Sequence, residues 1–243
     1  MLQVQDPYAP EVDPFFRAAG LSARTFGLQS RIYEGRFHGR KVNATISPRT
    51  VTRYAGEIRH RRYIGHQFAL ALGVSCATRF VAAPAIAANG FSRRINRWVG
   101  LTQVHLNEPG LDYLEIWATE PDWARRWLAE PNAAQSLAAL LPPDRRRNVS
   151  LAPVGELGFT LRTGIQYVQR SDLAGWMNHL FVLAEAADAA PPPLRRIKPR
   201  RIEMVVREKP WLSAIVVLLG LMALTVAITG VLFLAFLFVM WLL

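Results

Sequence analysis

Cysteine is nearly missing from this sequence. The 243 residues include one, Cys76, so no disulfide can form within the chain and no site of paired thiolates can be built from it. Histidine is sparse as well. His38, His60, His66, His105 and His179 never stand at the i, i+4 spacing of a zinc-binding helix, and the C-x-x-C-H run of covalent haem does not occur. Walker A and G-x-G-x-x-G loops are also absent. Gly73-Val74-Ser75-Cys76-Ala77 comes within one residue of a G-x-S-x-G elbow, but it lacks the last glycine and lies between two expected strands, where a plain turn explains it. Apolar neighbours around Cys76 argue for an inert thiol. The carboxylates are scattered. These absences predict a protein without catalytic residues, metal ligands or a cofactor site, and so not an enzyme.

Lysine is scarce too: 3 lysines stand against 26 arginines. With the alanine and proline content, this bias points to a GC-rich bacterial genome. The opening MLQVQDPYAPEVDPFF carries acids and prolines where a signal peptide needs an apolar run. A reducing compartment fits the lone cysteine.

Charge is absent from one long stretch, Trp211 to Leu243. A bilayer core of ~30 Å needs about 20 apolar residues in a helix, and this run is longer. Its hydroxyl residues Ser213, Thr225 and Thr229 can bond back to helix carbonyls. Trp211 and Trp241 bracket it, about 45 Å apart on a helix, close to the thickness of a bilayer with its headgroups. A transmembrane helix over 211–243 is the expectation. Seven basic residues precede it, Arg195, Arg196, Lys198, Arg200, Arg201, Arg207 and Lys209, opposed by Glu203 and Glu208. Seven less two leaves +5 of the chain's +11 in this flank. The positive-inside rule puts the N-terminal part in the cytoplasm and the C-terminus at the outer face of a bacterial inner membrane, a tail-anchored topology.

Ahead of the flank the periodicities alternate. Residues 1–29 read as a loose arm with a short helix in which Asp13 is the cap, Pro14 takes the first turn and Gly20 closes. Ser30 onward reads as a β-hairpin turning at His38-Gly39. A second hairpin of the same design is expected around Gly65, because Phe37-His38-Gly39-Arg40 aligns with Tyr63-Ile64-Gly65-His66. Strands are expected at 76–87, 101–106 and 113–118. NGFSRRINRW (89–98) reads as a loop or short helix. Thr119-Glu120-Pro121-Asp122 reads as a capping box opening a helix that carries Trp123, Trp127 and Leu128 on one face. A second helix starts at Pro131 and stops at Pro142-Pro143. A last hairpin turns at Gly155-Glu156. Ser171-Asp172 caps a longer helix with Leu173, Trp176, Leu180, Leu183 and Ala187 on its buried face. Residues 191–210 then read as a stiff, basic, Pro-rich tether. Strands followed by helices argue for an α+β domain over 30–190 with a mainly antiparallel sheet.

Tyr33-x-Gly35-x-x-x-Gly39-Arg40-x-Val42 and LEIWATEPDWARRWLAEP (114–131) resemble an uncharacterised bacterial domain family found in membrane-tethered proteins, over residues 30–165. Trp127-Leu128 stands where that family often has a leucine pair. The resemblance brings no catalytic residues with it.

Partner-binding features remain. Gly220, Ala223, Ala227 and Gly230, with Ser213 a further two turns back, place small residues on one face of the expected span, where close helix packing drives association in lipid. Arg59, Arg61 and Arg62 interleave with Tyr54 and Tyr63, Arg93, Arg94 and Arg97 form a second group, and Arg145, Arg146 and Arg147 a third. Anionic lipid of the cytoplasmic leaflet or an acidic protein surface suits a domain tethered beside both; nucleic acid is the weaker reading. The function expected is a non-enzymatic accessory subunit of an inner-membrane complex, respiratory or photosynthetic electron transport being plausible hosts. Integral membrane subunits are its partners, and homodimerisation through the same helix face is compatible with this. The alternatives are a tethered cytoplasmic sensor or ligand- or anion-binding module and, behind it, an enzyme of unrecognised type.

Overall fold

The computed structural model describes residues 9–26, 30–55, 58–76, 78–106, 110–152 and 158–194, together with 222, 225 and 229. It divides into two units, 1–198 and 199–243. In the second, the described residues are helical and the Thr229 hydroxyl donates to the Thr225 carbonyl at 2.9 Å. No helix among the described residues is long and apolar enough to cross a membrane. The basic flank from Arg195 to Lys209, the bracketing Trp211 and Trp241, and the small-residue face of Ser213, Gly220, Ala223, Ala227 and Gly230 lie outside them.

The first unit is α+β. Its elements are α1 (Ala9–Ala18), β1 (Ser22–Phe26), β2 (Ser30–Phe37), β3 (Arg40–Ala55), β4 (Ile58–Gly73), β5 (Phe80–Pro84), α2 (Gly90–Trp98), β6 (Thr102–Val104), β7 (Leu114–Ala118), α3 (Pro121–Leu128), α4 (Pro131–Leu140), β8 (Asn148–Ala152), β9 (Gly158–Gly164) and α5 (Arg170–Ala189). The nine strands form one sheet in the order β1-β2-β3-β4-β9-β8-β5-β7-β6, every pairing antiparallel.

Alternation along the strands sends one face inward. Val42, Ala44 and Ile46 on β3 and Phe68, Leu70 and Leu72 on β4 are buried, while Asn43, Thr45, Ala69 and Ala71 between them are less so. α3 and α5 close the core from the expected faces: Trp123, Trp127 and Leu128, then Leu173, Leu180 and Leu183, are wholly buried. Trp127 stacks between Trp123 and Phe159, with ring centroids at 5.3 and 5.1 Å, and Phe80 meets it edge-on at 5.0 Å. Each such ring is worth roughly 1.5–3 kcal/mol in burial alone, so this cluster dominates the centre of the fold.

Local expectations hold where the chemistry is local. His38 and Gly39 take positive φ angles of 47° and 79°, the pair a two-residue hairpin turn requires. Gly65 does not repeat it. It has φ of 111° inside an unbroken β4, across from the register shift between Pro48 and Thr50 of β3. One positive φ gives a bulge, two in succession are needed to reverse the chain, and Pro48 lacks the N–H to keep the ladder regular. The expected second hairpin is therefore one long hairpin, β3–β4, with sixteen residues in each strand.

The helix caps also differ from expectation. α1 starts at Ala9 and carries Pro14 inside it. Asp13 is no cap: its carboxylate accepts from the Tyr33 hydroxyl and, at 2.7 Å, from Arg31, which clamps α1 to β2. Glu120 and not Thr119 precedes α3, no side chain caps it, and the Thr119 hydroxyl is buried without a partner. Asp122 instead pairs with Arg125 at 2.6 Å. Gln169 precedes α5, again without a side-chain cap. Pro at the first position of α3 and α4 compensates, since it has no N–H to satisfy.

Candidate functional site

α2 is an amphipathic helix mounted the wrong way round. Phe91, Ile95 and Trp98 fall at i, i+4 and i+7 and so share a face; they are 74%, 42% and 80% exposed, and no residue of α2 is buried. The other side faces the protein. Arg93 forms an ion pair with Glu115 of β7, its Nε 3.1 Å from both carboxylate oxygens. Glu115 and Trp117 project from the sheet face opposite the core-facing Ile116. Trp117, Leu101 and Leu111 are buried there, outside the main core cluster.

Strong local chemistry holds α2 in this pose. At its start Asn89 and Ser92 form a reciprocal capping box: the Asn89 side chain accepts from the Ser92 N–H at 2.8 Å, and the Ser92 hydroxyl accepts from the Asn89 N–H at 3.0 Å. At its end Gly100, with φ of 83°, donates to the Arg97 carbonyl at 3.0 Å, and Leu101 donates to the Asn96 carbonyl at 2.9 Å. That pair is a Schellman motif, which needs a residue tolerant of positive φ and an apolar residue after it. Gly100 and the buried Leu101 supply both. Exposed apolar side chains on a helix pinned at both ends mark an interaction surface and not a frayed segment.

The second exposed feature is the far half of the β3–β4 hairpin. β3 pairs with β2 only from Arg40 to Ile46, and β4 with β9 only from Gln67 to Gly73. Beyond these limits, from Pro48 to Ala55 and from Ile58 to His66, the two strands pair only with each other among the described residues. The ribbon so formed carries Arg49, Arg53, Arg59, His60, Arg61 and Arg62 along its backbone. In the ladder Thr52 lies opposite Arg61, Tyr54 opposite Arg59, Val51 opposite Arg62 and Arg53 opposite His60.

The third arginine group is divided between the surface and the interior. Arg147 is 7% exposed, with its guanidinium 4.6 Å above the Trp176 ring and Nη2 donating to the Tyr167 carbonyl at 3.4 Å. Burial lowers its pKa, and its Nε has no partner. Arg145 stays outside, paired with Asp144 and lying over Tyr167; Arg146 is exposed. Arg147 is thus corrected from a contact residue to a core cation.

Two concavities lie among the helices. A groove of about 820 Å³ runs along α4 and α5, lined by Arg126, Glu130, Gln135, Ser136, His179 and Glu185 among others. His179 Nδ1 lies 3.3 Å from the Ser136 hydroxyl, and burial lowers its pKa. A smaller hollow of about 520 Å³ is lined by Ser75, Cys76, Asp188, Pro192 and Pro193. Asp188 organises it, accepting from the Ser75 N–H at 2.9 Å and from Arg40 at 2.6 Å. Burial pushes the Cys76 thiol up to about 12, with the charges of Asp188 and Glu120 adding to the effect. His66 lines neither hollow; its ring Nδ1 pairs with the Tyr63 hydroxyl on β4.

The start of the tether is part of the domain. Pro193 is buried, and the Leu194 N–H donates to Glu120 Oε2 at 2.8 Å. The expected stiff tether over 191–210 is therefore bonded to the domain at its first residues, 191–194.

No family model matches the chain, and no curated protein matches it. Among solved structures, the mycobacterial trehalose monomycolate transport factor A, TtfA, is similar: TM-score 0.51 at 9% identity, over 79% of this chain and 100% of that one. An identity so low carries the fold alone, so TtfA supports the α+β architecture and nothing about its use here.

The run NGFSRRINRW reads in sequence as loop or short helix, with its arginines one basic group among three. The signal for the rest was present: Asn89 with Ser92 three residues on, Gly100 past the end, and Phe91, Ile95 and Trp98 at helical spacing. What those residues could not reveal is that the apolar face points outward.

Proposed function

We propose that this protein is a membrane-moored accessory subunit. Its C-terminal helix spans a bacterial inner membrane, and its α+β domain works on the cytoplasmic side, docking on an integral membrane complex without catalysing a reaction. The observation that carries the reading is the β3–β4 ribbon: a basic two-stranded arm that continues past its pairing with β2 and β9. The charges, Pro48 and the bulge keep such an edge from pairing with another strand, and a basic arm of this kind suits a partner surface of opposite charge. The uncharged run from Trp211 to Leu243 and the basic flank before it support the mooring and its orientation. Gly220, Ala223, Ala227 and Gly230 supply the helix face for docking within the bilayer.

The test is crosslinking in intact membranes followed by purification in mild detergent. A defined set of integral membrane subunits should co-purify with the full chain. Gly220→Leu with Ala227→Leu, or Arg59→Glu with Arg61→Glu and Arg62→Glu, should each deplete that set. A chain that purifies as a lone monomer, indifferent to both sets of changes, removes the reading.

The groove along α4 and α5 favours a second reading, a tethered sensor that binds a polar small molecule. Thermal stabilisation of the full chain by nucleotides or metabolites, lost in His179→Ala, would support it over the first.

A further inference from the structure

The geometry points to α2 as a second membrane foot: Phe91, Ile95 and Trp98 enter the headgroup region of an anionic leaflet, with Arg94 and Arg97 contacting lipid phosphates. The inference rests on the moored reading and names what the domain itself touches. Three observations commit the surface to lipid. The first is charge. α2 has no acidic residue, Glu115 is already matched by Arg93, and among the described residues Arg94 and Arg97 have no ion-pair partner. An apolar face with aromatic members, flanked by arginines, is the composition of an interfacial helix.

The second is position. β6 begins at Thr102, whose partner is Ala118 at the end of β7. Two residues past Ala118, Glu120 holds the Leu194 N–H. The C-terminal end of α2, with Trp98, and the point where the chain leaves the domain therefore share one end of the sheet. The third is reach. Sixteen residues separate Leu194 from Trp211, at most roughly 60 Å when fully extended. A domain held that close meets the leaflet constantly, so even a weak foot is occupied, as the second of two linked sites. Ile86, in the loop leading into α2, is also exposed, at 58%.

α2 buries nothing, so its outward residues can be replaced without opening the core. Ile95→Cys in the full chain accepts a polarity-sensitive fluorophore selectively, because Cys76 is buried and its thiol stays protonated. The labelled chain is reconstituted into vesicles of phosphatidylcholine alone or mixed with phosphatidylglycerol. Nitroxide-bearing lipid reports contact at residue 95, and resistance to carbonate extraction reports the span. The expected result is a blue shift and strong quenching in the phosphatidylglycerol vesicles. Both should weaken in phosphatidylcholine, and Arg94→Glu with Arg97→Glu should lower the docked-to-free ratio by at least roughly thirtyfold. Trp98→Ser should reduce quenching without affecting extraction.

A probe that remains in water in both vesicles, in a carbonate-resistant chain, overturns the foot and leaves the mooring intact. Quenching in a chain that carbonate extracts supports the foot and removes the mooring. A blue shift that rises with protein density and comes without lipid quenching assigns the face to a second copy and overturns the lipid assignment.

Discussion

Single side chains here are decided by what surrounds them. Cys76 reads in sequence as a lone thiol and in structure as a buried one, raised to about 12. Iodoacetamide at mildly alkaline pH should leave the folded chain unmodified and alkylate it once guanidinium unfolds it, as intact mass will record. Arg147 is a cation in the core without a carboxylate to match it among the described residues, held by the Trp176 face. Arg147→Lys loses the planar stacking and keeps a buried charge, and should cost about 1–2 kcal/mol in denaturant unfolding. Arg147→Met removes the charge and should be the milder of the two. His179 titrates with the opposite sign to a paired histidine. Burial holds its folded pKa below the ordinary 6.5, so below that pH the unfolded chain binds the extra proton first. Its contribution is present above pH 6.5 and is lost as the pH falls. His179→Gln, which can still bond Ser136, should flatten the acid limb of the stability profile.

Among the elements, α2 shows how strongly caps can hold a helix that has no buried face. Its two ends are bonded through Asn89, Ser92 and Gly100, and one ion pair ties its middle to β7. Gly100→Ala forces a Cβ into φ of 83° and should lower stability by about 1 kcal/mol. Since α2 is peripheral, the loss should appear first as faster amide exchange in 90–101, ahead of any global change. β3 and β4 illustrate the opposite case. Aromatic-Gly-basic runs at Gly39 and Gly65 look alike in sequence, yet only the first makes a turn. The second lies where Pro48 interrupts the partner strand, and the ladder on either side is strong enough to carry the chain through.

For the molecule as a whole, the proposed membrane topology has the sharpest test. Protease added to intact spheroplasts is expected to leave the α+β domain uncut and to digest it only after permeabilisation. Cleavage from outside would reverse the orientation argued from Arg195 to Lys209. The domain's own attachment also matters, because Glu120 fixes Leu194. Glu120→Ala should lengthen the effective tether and loosen α2's approach to lipid without altering carbonate resistance.

Much of this was legible in the order of residues. The buried stripes of α3 and α5, the turn at His38-Gly39, the antiparallel α+β class and the uncharged terminal run all depend on neighbours within a few positions, so periodicity and turn chemistry reveal them. The outward apolar face of α2, the burial of Arg147, the clamp of Asp13 on Tyr33 and the projection of the β3–β4 ribbon depend on partners 20 or more residues away, or on where neighbouring strands stop. A hydrophobic pattern states that a helix has an apolar side. Only packing in three dimensions determines whether that side meets the core or the solvent.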